Sequence, residues 1–348
     1  MVVGMPGLRL IVLGLLGLSL GLPGTALAHG GATSGTDYRS SLLGTPAGIV
    51  ARIIGGDDRI LIERTTAQTV VILGYGGEPY LRLDAQGTWQ NARSPAVALN
   101  AGRTTTEPLA GSSATPAWQR LGTGTSVVFH DHRSHWMAAQ PPARVRTNPA
   151  ASQRLSAWTI PVIVDGTPAV IHGDLTWVGQ PRTWLWWCVS ALLALCAVAV
   201  GWRSQHRLAI ATVGGVAAAA ITLVTGISRA LDLPDPTTPV IIATAIAGTL
   251  ITAAVIGAWL VRRTPVYGAT IMLLLALMTS GAESVGLAAS AFTSGLVPGP
   301  LPTTLTRILL AVALAGTSAA AAAAAGGWRA LLTTERRAGG ETTAPESW

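Results

Sequence analysis

The stretch WTIPVIVDGTPAVIHGDLTWVGQPRTWLWWCVSALLALCAVAVG (Trp158–Gly201) decides the fold. Its first half runs β-branched through Val164, turns at Asp165-Gly166 and resumes as Pro168–Val178, which predicts a hairpin with a two-residue turn. The character then changes within a few residues. From Trp184 to Gly201 the chain carries no charge and is close to the ~20 residues needed to cross ~30 Å of hydrocarbon. A β domain hands over directly to a membrane domain.

Upstream, further short β-branched runs stand at Gly48–Ile54, Arg59–Arg64, Thr69–Tyr75, Pro79–Asp84 and Ser126–His132. Gly55-Gly56-Asp57-Asp58 links the first two, and helical periodicity is absent. Residues 29–183 therefore predict an exported all-β sandwich of immunoglobulin-like or cupredoxin-like type. Asn100–Thr123, rich in Thr, Gly, Ser and Pro, reads as a long loop. Residues 1–28 read as a signal peptide, with Arg9, an apolar Leu10–Leu22 and a small-x-small site at Ala26-Leu27-Ala28. Cleavage there makes His29 the first residue of the mature chain.

Downstream, four more apolar runs follow: Leu208–Ile227, Val240–Val261, Tyr267–Ala288 and Ile308–Ala325. Residues 184–332 thus predict an α-helical membrane domain of five transmembrane helices, and 333–348 a cytoplasmic tail. With the β domain outside, the inner segments carry Arg203, Arg207, Arg262, Arg263, Arg329, Arg336 and Arg337, while the outer loops carry only Arg229 and Arg307. That asymmetry satisfies the positive-inside rule for a multi-pass plasma-membrane protein. Trp184, Trp186 and Trp187 read as an aromatic anchor at the outer interface.

Composition agrees. Hydrophobic residues make up 49% of the 348 and charged residues only 11%, far below the ~25% of a soluble domain. The 23 basic residues are all arginine and are scattered, without a stripe or interleaved aromatics, so nucleic acid is not an expected partner. The lipid bilayer is. Cys188 and Cys196 share one apolar run and predict neither a disulfide framework nor a CxxC metal site.

Chemistry concentrates in Val128-Phe129-His130-Asp131-His132-Arg133-Ser134-His135-Trp136-Met137. On a strand His130 and His132 would share one face, and His135 and Met137 follow closely enough to close around the same spot. Imidazole is a common ligand for copper and zinc, and thioether sulfur favours Cu(I). A mature amino-terminal His29 adds its α-amine and ring Nδ1 as a chelate, completing a nitrogen set that suits Cu(II). The alternative reading is a hydrogen-bonded cluster of His, Asp131 and Arg133 that fixes a loop. His172 reads as a lone packed or surface histidine and His206 as a loop residue. Gly74–Tyr80 reads as a turn rather than a phosphate cradle, with Glu78 and Tyr80 weighed as neighbours of the cluster. The chain carries no nucleophile elbow or other catalytic signature, so no enzyme activity is expected. In the membrane, Glu283 is the ionisable candidate, with Met272 and Met278 as further soft or polar positions and Arg307 as a partner. These offer a copper-transporter alternative.

The Ala-His-Gly start of the mature chain, with a His-x-His about a hundred residues on, resembles the copper-binding B subunit of particulate methane and ammonia monooxygenases. It is similar also to copper-resistance C-type periplasmic proteins. The resemblance implies a cupredoxin-like domain beside membrane helices, copper at His29, His130 and His132, and an extracytoplasmic metalloprotein partner for any copper delivered. It differs in its five C-terminal helices and in the His-Arg-Ser-His-Trp-Met that completes the motif. As a whole the chain resembles uncharacterised actinobacterial membrane proteins with Gly-Glu-Pro-Tyr-Leu-Arg (Gly77–Arg82) and His-Asp-His-Arg-x-His-Trp-Met. The expectation is a membrane-anchored extracytoplasmic copper-binding protein, for storage, delivery or sensing. The alternative is a tethered structural or interaction module.

Overall fold

The computed structural model describes residues 35–101, 115–246, 248, 251–252 and 282–340. Ten antiparallel strands come first: β1 (Tyr38–Gly44), β2 (Ile49–Ile54), β3 (Arg59–Arg64), β4 (Val70–Leu73), β5 (Pro79–Asp84), β6 (Gly87–Asn91), β7 (Trp118–Gly122), β8 (Ser126–Phe129), β9 (Gln153–Val164) and β10 (Thr167–Trp177). They form a seven-stranded sheet in the order β1-β10-β9-β4-β5-β6-β7 and a three-stranded sheet β2-β3-β8. Two-residue spacing of apolar side chains builds the layer between them. Ile60 and Ile62 of β3 and Val127 and Phe129 of β8 share one buried core with Ile72, Leu81, Leu83, Ile160, Val162, Ile171 and Leu175 of the large sheet. Each such side chain contributes about 1.5–3 kcal/mol on leaving water.

The predicted hairpin is present. Val164 pairs with Thr167, and both central residues have positive φ, Asp165 at 47° and Gly166 at 79°, as a type I′ turn requires. Several expectations are corrected. The strand from Ser126 stops at Phe129 instead of reaching His132, because Asp131 caps a 3-10 turn, His132–Ser134, by accepting from the Arg133 backbone N–H. The stretch expected as a loop contains β7, which adds to β6. Two short helices, α1 (Pro95–Ala101) and α2 (Ala143–Thr147), stand where none was expected.

The membrane part comprises α3 (Thr183–Arg203), α4 (Arg207–Ala230), α5 (Thr237–Ile246), α6 (Ala282–Thr293) and α7 (Thr303–Gly340). Three segments are long and apolar enough to cross a membrane: Thr183–Arg203, Ala209–Ala230 and Thr303–Ala323, with hydropathies of 2.0, 2.0 and 1.6. Many of their apolar side chains face outward, Leu192 and Leu195 being 63% and 67% exposed, as suits helices surrounded by lipid. The other two expected spans fall largely outside the described residues. Small residues let the helices meet closely. A Cβ on Gly214 would lie 2.6 Å from the Gly316 carbonyl oxygen, and one on Gly201 2.5 Å from that of Ala319. The helix α7 also runs through the expected start of the tail at residue 333. Of the three anchor tryptophans, Trp186 stacks on Phe292 of α6 and Trp187 meets it edge-on, while Trp184 points outward.

The β domain rests on the loops at one end of these helices. The Arg52 guanidinium donates to the carbonyls of Asp232 and Leu233 at 3.2 and 3.1 Å, and Gly55 N–H donates to the Asp232 carboxylate at 2.7 Å. After α6, Leu296 forms a two-way backbone bridge with Thr36, and Gly295 N–H donates to Asp37.

Candidate functional site

The register of the small sheet assembles the site. Because Ile60 pairs with Phe129, the turn before β3 and the residues after β8 emerge at the same end. His130 therefore meets Asp58, and its Nδ1 lies 2.5 Å from the Asp58 carbonyl oxygen. The 3-10 turn then folds His132 and His135 back on either side of His130, with ring centres 5.2 Å from it in each case. The juxtaposition expected from strand alternation is thus produced by a turn.

His135 is anchored on the same turn. Its Nδ1 lies 2.6 Å from Asp57 Oδ2 and 3.2 Å from the Asp57 carbonyl. The other oxygen, Oδ1, accepts from the Thr36 hydroxyl at 3.1 Å. A carbonyl or carboxylate can only accept, so Nδ1 is the protonated nitrogen in both rings. His130 Nε2 is buried without a hydrogen-bond partner. Burial foremost, then the neighbouring His135 and His132, lowers the His130 pKa, outweighing the opposing hydrogen bond to Asp58. The ring is neutral, and its Nε2 lone pair is buried without a partner.

The other half of the motif is structural. Asp131, fully buried, receives Arg133 Nε at 2.9 Å and Nη2 at 2.7 Å, and Arg133 reaches on to the Leu73 carbonyl at 3.0 Å. The guanidinium also lies over the Tyr75 ring. Tyr75 Oη accepts from the His132 backbone N–H at 2.9 Å and bonds Asn100. Burial, then the Asp131 charge, raises the Tyr75 pKa and keeps the phenol protonated. Asp131 and Arg133 hold the loop, while the His130 and His135 rings are fixed from the Asp57-Asp58 side.

Met137 is half-buried two residues past His135 and takes no part in the hydrogen bonds that fix the two rings. His29, Met272 and Met278 lie outside the described residues. Glu283 is in the first turn of α6, its side chain outside the description. Arg307 donates to the carbonyls of Ala291, Ser294 and Gly295, capping the far end of that helix, so Glu283 and its expected partner stand about 12 Å or more apart along the axis. Glu78 has a turn role, accepting from Gly76 N–H and the Ser94 hydroxyl. His172 is exposed on β10 and His206 precedes α4. Asp57, Asp58, Thr36 and Tyr75 were not among the expected site residues. The consecutive acids of the Gly-Gly-Asp-Asp turn were the only sequence signal for them.

Two imidazoles bound to one ion at about 2.0–2.1 Å keep their ring centres about 5 Å apart, so the spacing here fits pairwise ligation. A ligating histidine usually donates its other nitrogen to a carboxylate or carbonyl, which is the role of Asp57 and Asp58 here. Among the described residues, however, no group of three or more His, Cys, Asp or Glu side chains forms a ready-made metal cage. Comparisons with protein-family models, with curated proteins and with solved structures return no match.

Proposed function

We propose that this chain is a membrane-anchored extracytoplasmic copper-binding protein. One observation carries the reading: His130 presents a buried Nε2 without a partner while Nδ1 of both His130 and His135 is held by the Asp57-Asp58 turn. Burying a lone pair without a partner costs stability unless something takes it up. Imidazole nitrogens favour Cu(II) among the divalent first-row ions, and the Met137 thioether would add affinity for Cu(I).

The remaining donors in this reading are His132 and the amino terminus at His29, released by signal cleavage. The β domain is of immunoglobulin-like or cupredoxin-like type, exported and tethered to the plasma membrane by five spans. Any copper released passes to an extracytoplasmic metalloprotein.

The second reading, a purely structural cluster, is favoured by the lack of a three-donor cage among the described residues. Titration of the purified full-length membrane chain, processed to begin at His29, separates the two. One equivalent of Cu(II) with nitrogen hyperfine structure is expected in electron paramagnetic resonance. His130→Ala and His135→Ala each weaken binding, and one residue added ahead of His29 weakens it by displacing the α-amine. Equal binding by native and extended chains removes His29 from the site. No binding at all leaves the structural reading.

A further inference from the structure

The turn that holds the histidines also holds the membrane loops. On one side, Asp58 and Asp57 bond His130 and His135. On the other, Gly55 N–H donates to Asp232 of the loop after α4, reinforced by Arg52 on the carbonyls of the same loop. Gly56 is packed where a Cβ would lie 2.6 Å from Thr36 Cγ2 and 2.8 Å from Leu296 Cδ2, and Thr36 bridges Leu296 in the loop after α6. Four consecutive residues thus touch two imidazoles and the loops that follow α4 and α6.

This connection is stiff at both ends, and the donor set is open. The rings already stand at pairwise-ligand spacing, so an ion held between two of them that gathers a further donor draws the cluster inward. Their Nδ1 atoms are pinned to Asp57 and Asp58, so the shift pulls on the turn, and interiors packed this closely pass displacement on. We propose that the chain is a transducer: occupancy of the histidine cluster is transmitted through Gly55–Asp58 to the loops at Leu231–Leu233 and Ser294–Leu296, and so to the membrane helices. This rests on the copper-binding reading and narrows it to sensing. Coupling is reciprocal, so disturbing the loop contact must change the affinity of the cluster by the same factor, typically fivefold or more.

The test uses the full chain in lipid nanodiscs with Cu(II) as the probe, following backbone hydrogen exchange and copper affinity together. One equivalent of Cu(II) is expected to change exchange about fivefold or more at Leu231–Leu233 and Ser294–Leu296. In the Arg52→Ala, Asp232→Ala double variant, copper still binds, the response at Leu231–Leu233 is lost and affinity shifts by a similar factor. Copper bound with exchange changes confined to residues 55–58 and 130–137 overturns the transducer and leaves the copper-binding reading standing. An absence of copper binding overturns both.

Discussion

At the scale of single residues, His130 and Asp57 carry the sharpest consequences. His130 is neutral in the fold because burial, and then its neighbours His135 and His132, depress its pKa, against the pull of Asp58. The folded state therefore binds fewer protons here than the unfolded chain, whose imidazole titrates near about 6.5. Stability from this group is fully present above that value and is lost as pH falls through it toward the lower folded pKa. The metal-free chain is expected to lose thermal stability below about pH 6.5, and His130→Asn to flatten that decline. Melting in detergent with chelator, across pH 5 to 8, reads the difference; parallel profiles would contradict the assignment. Asp57 acts through His135. Asp57→Ala removes the carboxylate 2.6 Å from His135 Nδ1 and leaves the backbone carbonyl at 3.2 Å as its acceptor, so copper binding is expected to weaken about 10-fold, the low end of the usual effect of losing a ligand's supporting partner. Asp57→Asn, which keeps an acceptor oxygen, should recover part of the loss.

At the scale of elements, the legible strands were those with one face in the core. β3 and β5 have the expected bounds because Ile60 and Ile62, and Leu81 and Leu83, are buried at two-residue spacing in runs flanked by charged residues. β1, β6 and β7 escaped; β1 and β7 are the two edges of the large sheet, and β7 is largely exposed on both faces, so no alternation is imposed on its Trp-Gln-Arg-Leu-Gly, while β6 is interior to the sheet. The histidine cluster was legible as a motif, but its supports were not. Asp57 and Asp58 are more than seventy residues away in sequence, joined to it only by the pairing of β3 with β8. Turn chemistry lies between these cases, since glycine patterns show that a turn exists and not what it touches. Gly166 and Gly56 have similar φ, 79° and 82°, yet a Cβ on Gly166 meets open space while one on Gly56 meets Thr36 and Leu296. Gly166→Ala is expected to cost the left-handed strain alone, about 1–2 kcal/mol. Gly56→Ala should cost about 1–3 kcal/mol more through overpacking. Equal losses in denaturant unfolding would show that the Gly56 contact yields freely.

At the scale of the whole molecule, the two ends of the helical domain differ in what their arginines do. At the β-domain end Arg307 is spent on the carbonyls that terminate α6, and Arg229 is buried. The same end carries the loops that Arg52, Gly55, Thr36 and Asp37 grip, so α3 leaves the β domain, α4 returns to it and α7 leaves again. At the opposite end Arg207 donates to the Gly326 carbonyl beside the turn that also holds Arg203, and the sequence adds Arg329, Arg336 and Arg337 beyond. Arginines in short loops near the helix ends set orientation, and the inner segments carry more of them than the outer loops. Reporter fusions at Pro236 are expected to read external, and fusions after Arg263 and at the carboxyl terminus cytoplasmic. Replacing Arg203, Arg207, Arg329, Arg336 and Arg337 together should mix the two orientations, while Arg307→Gln should lower stability without inverting the chain. Because Arg307→Gln removes a positive charge from the outer side, inversion by it would contradict the assigned orientation.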